Sequence, residues 1–303
     1  MRLAKAFRRR ERWAIGVFRY DRVEDIFDAS RGKTIRMIGE RWFRTGRSYQ
    51  STVADPFLFV AGERLYLFYE VQTDHSHGEI WVQSMSGNGS WREHGCVLRE
   101  KFHLSYPQVF AHEGRVFMLP EAAQSGTVIL YEAVDFPTGW KRHSVLVDEP
   151  LRDPTIVLTE LPGVFLLATT AEYQLKLFHS DGLFGSFRDT GIVITEDMAL
   201  ARGAGGILSV GDALLRPAQD CSDGYGKRIT FQEVREISIS RYRERPSPLE
   251  MGRDESWMSE GHHHLSVAAF GGSVIVAMDG RSKDWLVNSL LLGMIKLGGE
   301  VRC

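Results

Sequence analysis

The amino-acid sequence predicts an all-β protein built as one five-bladed β-propeller. A short pattern occurs five times, in which a strand-forming run is followed by a glycine turn and a second apolar run. The clearest copy starts at Asp55-Pro56, turns at Gly62 and ends at Glu70, and the five copies start near residues 55, 106, 153, 204 and 264. A period of about fifty residues is typical of propeller blades or solenoid units, and the 3.6-residue periodicity of a helical solenoid is missing.

Further strands follow each copy, separated by turns rich in glycine, serine and asparagine, as in four-stranded blades. The predicted blades are approximately residues 53–100, 104–148, 151–197, 200–245 and 260–281. The fifth copy has too few strands, so we expect the aromatic and β-branched run at residues 13–20 to complete its sheet. The charged, proline-bearing segment 241–248 is predicted to be a linker toward the fifth blade.

Both ends of the chain leave two interpretations open. Residues 1–12 contain six basic residues and one acidic residue, which favours either a solvated leading segment or a tether to anionic lipid. Residues 283–297 predict a short C-terminal helix, whose apolar face either packs on the propeller or lies in a membrane interface. Peripheral membrane contact through these two segments is therefore one hypothesis.

Composition narrows the class of protein. The formal net charge of −2 gives no bias toward nucleic acid, and three widely spaced cysteines predict no disulfide framework. No apolar run approaches the roughly 20 residues that span a bilayer, and the basic N-terminus lacks the apolar core of a signal peptide. We expect a soluble cytoplasmic protein without a cofactor.

Propeller geometry predicts which residues share one end of the central channel. The innermost strands all run in the same direction, and each second strand returns to the end from which its partner started. The expected rim comprises Asp55, Glu70, Tyr106, Glu121, Asp153, Arg202, Arg216, Gln219, Asp220, the run His262–His264 and Asp279. Burying so many ionisable groups is costly unless they are paired or serve a ligand.

Simpler explanations exist for several of these residues. An Asp before Pro is a common turn former, although two such pairs, at Asp55 and Asp153, occupy equivalent positions. Glu70 and Glu121 either cap backbone amides and pair with arginines or act on a ligand. Side chains alternate along a strand, so His262 and His264 can converge while His263 cannot. No third ligand is evident, and the sequence therefore predicts no metal site.

The pairs Asp55-Pro56 and Arg152-Asp153-Pro154 resemble the five-bladed glycosidase clan that includes invertases, levansucrases and arabinanases. The resemblance implies that Asp55 is a nucleophile or base, that Asp153 supports the sugar or tunes the acid, and that a Glu is the general acid. In that clan the acid usually comes from a later blade, whereas residues 201–205 contain no Glu. The expected proton donor is therefore Glu121, Glu70 or Asp220.

A closer resemblance is to the N-terminal propeller-like domain of plant glucosamine inositolphosphorylceramide transferases and its bacterial relatives. It covers about residues 50–280 and is carried by Ala54-Asp55-Pro56-Phe57, Phe68-Tyr69-Glu70, His103-Leu104-Ser105-Tyr106-Pro107-Gln108-Val109-Phe110, Pro120-Glu121, Asp153-Pro154-Thr155, Arg216-Pro217-Ala218-Gln219-Asp220-Cys221-Ser222, Tyr225-Gly226 and Gly261-His262-His263. The glycosyltransferase domain that follows in the plant proteins has no counterpart in these 303 residues. The resemblance therefore implies a sugar-related fold and does not by itself imply the transfer activity.

Together these observations predict a carbohydrate-active enzyme that cleaves or transfers a glycosyl unit in the funnel. Asp55, Asp153, Glu121 and Glu70 are the expected catalytic residues. The residues expected to hold the sugar or glycoconjugate are Tyr106, Arg202, Arg216, Gln219, Asp220, His263 and His264. The arginines suit an anionic or phosphorylated sugar. The alternative is a non-catalytic glycan or sugar-phosphate binding module in a surface-polysaccharide pathway, and a protein-interaction scaffold would instead need an exposed apolar rim.

Overall fold

The computed structural model describes residues 7–39, 42–45, 47–73, 77–157, 163–252, 254 and 256–287. Within these residues the chain forms five antiparallel sheets around a central axis, which confirms the predicted all-β, five-bladed propeller. In this described part no helix is long and apolar enough to cross a membrane.

The strands follow one another blade by blade. The chain begins with β1 (Phe7–Tyr20), the 3-10 helices Val23–Phe27 and Ala29–Arg31, and β2 (Lys33–Ile38). Blade one contains β3 (Trp42–Thr45), β4 (Arg47–Ala61), β5 (Arg64–Thr73), β6 (Glu79–Ser86) and β7 (Trp91–Leu98). Blade two contains β8 (Ser105–His112), β9 (Arg115–Glu121), the 3-10 helix Ala123–Ser125, β10 (Val128–Asp135) and β11 (Gly139–Val147).

Blade three contains β12 (Arg152–Val157), β13 (Val164–Thr169), β14 (Leu175–Ser180) and β15 (Arg188–Thr195). Blade four contains β16 (Arg202–Gly203), β17 (Leu208–Val210), β18 (Ala213–Asp220), β19 (Arg228–Ile237) and β20 (Tyr242–Pro246). The last blade uses β21 (Leu265–Phe270) and β22 (Ser273–Val287), followed in space by β1 and β2.

The first strand of the chain closes the ring. β1 pairs antiparallel with β22, so that Tyr20 lies opposite Val274 and Phe7 opposite Val287. The run predicted at 13–20 thus lies inside β1, within the fifth sheet. The predicted C-terminal helix is wrong, because residues 283–287 continue β22 and satisfy their backbone groups by pairing with β1. Residues 288–297 of that predicted helix and residues 1–6 of the basic segment lie outside the described residues, whereas residues 7–12 of that segment belong to β1.

A second difference concerns the segment 241–248, which the sequence predicted to be a linker. Residues 242–246 form β20, the outermost strand of blade four, and pair with β19. Its charged residues are tolerated because an outermost strand leaves alternate side chains in water. The misassigned strand carries Glu244, which has a structural role described below.

The hydrophobic core is divided into five clusters that lie between neighbouring blades. Phe68 of blade one packs with Met118 of blade two, and Phe117 of blade two packs with Leu166 of blade three. Fully burying one such side chain stabilises the fold by about 1.5–3 kcal/mol. The five interfaces therefore hold the innermost strands in a ring and fix the positions of the residues at its rim.

Candidate active site

Three innermost strands carry a bulge at the rim of the central channel. The pairing register shifts between Ala54 and Phe57, and the same shift recurs at the equivalent points of β8 and β12. The residues thrown out of register are Asp55, Tyr106 and Asp153, with φ of 52°, 49° and 47°. A left-handed conformation costs a non-glycine residue about 1–2 kcal/mol. Each is followed by a proline, which has no N–H to lose from the ladder.

Carboxylates from the preceding blade hold these strained amides. The Asp55 N–H donates to Asp279 Oδ2 at 3.1 Å, and the Tyr106 N–H donates to Asp55 Oδ2 at 3.1 Å. The Asp153 N–H donates to Glu121 Oε2 at 3.0 Å. Hydrogen bonds to an ionised acceptor, as at Asp279 and Asp55, are about twice as strong as neutral ones. The bulges thereby fix where four of the rim carboxyl groups sit.

These carboxyl groups surround a polar cleft of about 280 Å³ at the rim. Its walls differ in chemistry around the ring. Blades one and two contribute Asp55, Glu70 and Glu121, blades three and four contribute Arg152 and Arg202, and the remaining side carries Trp13, Tyr225 and His263. The cleft therefore has an acidic wall, a cationic wall and an aromatic wall.

Asp153 and Arg202 form a buried, two-pronged ion pair on the floor of the cleft. Arg202 Nε contacts Asp153 Oδ2, and Arg202 Nη2 donates to Asp153 Oδ1 at 2.9 Å. Burial opposes ionisation of Asp153, but the guanidinium outweighs it, and the pKa of Asp153 lies below its ordinary value. Both groups therefore stay charged at neutral pH and neutralise one another.

Glu121 lies next to this ion pair, and its pKa shifts in the direction opposite to that of Asp153. Burial, reinforced by the negative charge of Asp153, raises the pKa of Glu121 to about 8. Arg202 Nη2 lies 3.9 Å from Glu121 Oε2 and offsets only part of this rise. At neutral pH the Glu121 carboxyl therefore carries a proton while Asp153 does not.

Burial also favours the protonated form of Glu70, and a histidine lies against its carboxyl group. Burial, followed by the charge of Asp55, raises the pKa of Glu70 well above its usual range. His103 Nδ1 accepts a hydrogen bond from the Gly78 N–H at 3.0 Å, so the proton of the neutral ring sits on Nε2. That nitrogen lies 3.3 Å from Glu70 Oε1. His103 was not among the site residues predicted from the sequence, although it begins one of the motifs that carry the family resemblance.

Asp279 anchors the fifth blade to this site. Its carboxylate is 0% exposed, and Oδ1 accepts hydrogen bonds from the N–H groups of His263 and His264 at 3.0 Å each. Oδ2 lies 2.6 Å from His263 Nδ1. Burial opposes charge on both partners, yet their mutual attraction lowers the pKa of Asp279 and raises that of His263.

The prediction that His263 points away from its neighbours was wrong. Residues 262–264 are not a regular strand, since Gly261 has φ of 152° and two consecutive amides turn toward one carboxylate oxygen. Side-chain alternation therefore does not apply. Asp55, His263 and Asp279 present one ligand atom each within 4.8 Å, an arrangement that could admit a cation. In the structure His263 Nδ1 already lies 2.6 Å from Asp279 Oδ2 within this group of ligand atoms.

Asp55 occupies the centre of the acidic wall. Burial raises the pKa of Asp55 to about 6, although the nearby His263 charge works against the rise. Its Oδ1 lies 3.8 Å from His263 Nδ1 and 3.7 Å from His264 Nδ1. At pH 7 Asp55 is therefore mainly ionised, whereas Glu121 is mainly protonated and the pKa of Glu70 is also raised.

Two predicted binding residues lie beneath the cleft and do not line it. The Tyr106 hydroxyl is buried, donates to the Gly205 carbonyl at 3.0 Å and lies 2.9 Å from Thr155 Oγ1. The His264 ring stands edge-on to Tyr106 and Phe57, and burial lowers the pKa of His264 to about 3. Both rings fill the channel below the rim and join blades across it.

Three predicted residues of blade four also have structural partners outside the cleft. Arg216 forms a two-pronged ion pair with Glu244, at 2.8 and 2.6 Å. Asp220 caps the turn at Ser222 and pairs with Arg228 at 2.9 Å. Gln219 is buried and accepts from the Cys221 thiol at 3.1 Å. The sequence predicted Arg216 at the rim and could not show its ion pair, because Glu244 lies in the segment 241–248 that was predicted to be a linker.

The aromatic wall was missed by sequence reasoning. The Trp13 ring stacks on His263 with centroids 4.3 Å apart, and Tyr225 meets the same imidazole edge-on at 5.2 Å. Trp13 comes from the first strand of the chain, and Tyr225 lies in the turn between β18 and β19, where it is 46% exposed. The available sequence signals were the aromatic run at residues 13–20 and the pair Tyr225-Gly226 within the family resemblance.

Comparison with known proteins agrees with this architecture. The family model described as "Glucosamine inositolphosphorylceramide transferase 1, N-terminal" matches residues 44–281. The chain belongs to this family. A glucosamine inositolphosphorylceramide transferase 1 from Arabidopsis thaliana is 33% identical over 270 residues, which are 82% of this chain and 35% of the relative. The protein of the same name from Oryza sativa subsp. indica is 32% identical over 249 residues, 75% of this chain and 33% of the relative.

The family member thus spans about a third of the length of the curated relatives it matches. Among solved structures, a family 117 glycoside hydrolase from Zobellia galactanivorans superposes with a TM-score of 0.52 at 13% identity, covering 76% of this chain and 84% of that one. An α-L-arabinofuranosidase from Lactobacillus brevis gives 0.55 at 12% identity, covering 73% and 83%. These likenesses establish the shared propeller fold.

Proposed function

We propose that the cleft cleaves or transfers a glycosyl unit, with Asp55 as base or nucleophile and Glu121 as general acid. One observation carries this proposal: two carboxyl groups of one cleft have pKa values displaced to about 6 and about 8. Glycosidic bonds are broken by such a pair, in which one carboxyl stays protonated while the other is ionised. At pH 7 Glu121 can give a proton to the leaving oxygen while Asp55 supports the opposite side of the sugar ring.

Asp153 has a positioning role in this mechanism. Its charge raises the pKa of Glu121, and its amide holds Glu121 Oε2. Arg202 keeps Asp153 ionised, and the Asp153 charge in turn favours the protonated form of Glu121. Glu70 is the second possible proton donor, since burial raises its pKa and His103 Nε2 lies 3.3 Å from its Oε1. The aromatic wall of Trp13 and Tyr225 offers the apolar surface on which a sugar ring can pack.

The relatives support a glycosyl-handling role. Their name is that of a transferase, which favours transfer over hydrolysis, while the structural neighbours share only the fold. Arg202 and Arg216, from which the sequence predicted an anionic substrate, are both ion-paired and add nothing to this proposal.

The second candidate is a non-catalytic glycan-binding module. In the glycosidase clan the general acid usually comes from a later blade, whereas residues 201–205 of blade four contain no Glu and Arg202 there is ion-paired. This difference favours the binding module. Fold alone cannot choose between the two functions, since one fold hosts many.

A paired test of binding and turnover separates them. Sugar nucleotides, sugar phosphates and oligosaccharides are screened with the wild type, with Asp55→Asn and with Asp148→Asn, an exposed carboxylate of blade two that serves as the control. Catalysis predicts turnover that falls by roughly 10²–10⁴-fold in Asp55→Asn while binding persists and the control is unchanged. Binding without turnover of any candidate, in every form of the protein, supports the module instead.

A further inference from the structure

Almost every cationic side chain at the cleft already has a carboxylate partner. Arg202 pairs with Asp153, His263 lies against Asp279, and the His103 ring faces Glu70. Arg152 is different. It lines the cleft, yet across the described residues no carboxylate oxygen lies within 4.0 Å of its guanidinium nitrogens.

The position of Arg152 is nevertheless fixed. Arg152 is the first residue of β12, and its backbone pairs with Thr169 of β13. Its guanidinium carbon lies 5.8 Å from the centroid of the Tyr173 ring, an attractive cation–π arrangement. Tyr173 sits in the turn between β13 and β14 with φ of 62°, an uncommon conformation for a tyrosine. The turn thus places an aromatic ring beside a half-buried guanidinium that has no anionic partner.

A charge count shows why this matters. Asp153 with Arg202, and Asp279 with His263, form two ion pairs that balance their own charges, and burial raises the pKa values of the Glu70 and Glu121 carboxyl groups. The charged groups outside these two pairs are Asp55 on blade one, whose Oδ1 lies 3.8 Å from His263 Nδ1, and Arg152 on blade three, which has no carboxylate partner among the described residues. A ligand that complements both has an anionic group on one side and, in the transition state, a sugar ring with developing positive charge on the other.

On the basis of the glycosyl chemistry proposed above, we propose that Arg152 binds an anionic group of the substrate. The cleft then takes a sugar that carries a phosphate ester or a carboxylate. A guanidinium presents planar donors that match both groups and remains charged throughout the working pH range. Arg152 is accordingly a specificity-determining residue, while the reacting carbon sits against Asp55 and Glu121.

The test compares the binding of charged and neutral probes by calorimetry at low salt. The probes are glucose 1-phosphate, glucuronate and methyl glucoside, and the variants are Arg152→Gln, Arg152→Lys and Arg188→Gln. Arg188 is an exposed arginine on the outermost strand of the same blade and changes the net charge equally. We expect Arg152→Gln to weaken binding of the preferred anionic probe about tenfold or more and to leave methyl glucoside unchanged. Arg188→Gln should match the wild type.

Further arms separate the possible results. Preference for glucose 1-phosphate identifies a phosphate, and preference for glucuronate identifies a carboxylate. Arg152→Lys keeps the positive charge but loses the planar pair of donors of the guanidinium. Its affinity for the preferred anionic probe should therefore fall between those of wild type and Arg152→Gln. Equal affinity of wild type and Arg152→Gln for both anionic probes, or no preference of the wild type for either over methyl glucoside, overturns the inference. Asp55→Asn should retain the preference, so a failure of catalysis is distinguishable from a failure of anion recognition.

Discussion

The protonated state of Glu121 leads to a prediction about stability that needs no substrate. The variant Glu121→Gln keeps the shape of the side chain and an oxygen that can accept the Asp153 N–H. It removes the group that titrates. The pKa of Glu121 is about 8 in the folded protein, against an ordinary value of 4.5.

The sign of the effect follows from these two values. Below pH 4.5 Glu121 is protonated in both the folded and the unfolded chain, and its contribution to stability is fully present. Between pH 4.5 and about 8 the unfolded chain loses this proton while the folded chain keeps it, so the free energy of unfolding falls as pH rises. A pKa difference of about 3.5 corresponds to a loss on the order of 5 kcal/mol across this window.

The assay is urea unfolding at pH 5 to 9 for the wild type, Glu121→Gln and the control Glu132→Gln. Glu132 faces Arg115 and Lys141, whose hydrogen bonds lower its pKa, so it is ionised throughout this range. We expect the stability of Glu121→Gln relative to wild type to rise by about 1.4 kcal/mol per pH unit toward pH 8. The control curve should run parallel to wild type. If the Glu121→Gln curve is also parallel, Glu121 is ionised and the proposed proton donor is wrong.

Three further substitutions test the interpretation of neighbouring groups. Arg202→Met leaves Asp153 buried without its cation and should lower the free energy of unfolding, measured by urea denaturation, by about 3–5 kcal/mol. A loss under about 1 kcal/mol would contradict the assignment of a buried Asp153–Arg202 ion pair. Arg216→Met removes the partner of Glu244 and should lower the free energy of unfolding by a similar amount. Ligand affinity should stay unchanged, because that pair lies outside the cleft. A change in affinity would show that Arg216 takes part in ligand binding. Gly78→Ala places a Cβ 2.4 Å from the Leu104 carbonyl and 2.7 Å from Glu70 Oε1, so it should displace His103 from Glu70. ¹⁵N NMR of the His103 ring detects this displacement through a change of tautomer. An unaltered tautomer in a normally folded variant would contradict the assigned contact between His103 and Glu70.

The fold was predictable because its signal is local. Each hairpin is visible in the sequence as a strand, a glycine turn and a second strand. Five copies of this pattern predict a ring of blades. The errors arose where pairing is long-range. Residues 283–287 form strand because β1, more than 250 residues earlier in the chain, lies beside them. β20 was missed because an outermost strand can be charged and proline-bearing like a linker.

The site was predictable in part, for a related reason. Shared strand direction brings Asp55, Glu70, Glu121 and Arg202 to one cleft, with Asp153 on its floor, as the repeat indicates. It does not reveal which arginine is already paired, since that depends on side-chain partners in other blades. Nor does it indicate that His263 leaves strand geometry or that Trp13 of the closing strand faces the same cleft.

The most direct test of the central claim is the pH dependence of kcat/KM for whichever glycosyl substrate the screen identifies, with wild type and Glu121→Gln compared. A base and an acid with pKa values of about 6 and about 8 predict a bell-shaped profile with its maximum near pH 7. Glu121→Gln should lower the rate by about 10²–10⁴-fold and abolish the alkaline limb. A variant that keeps both the rate and the alkaline limb would contradict the assignment of Glu121 as the proton donor.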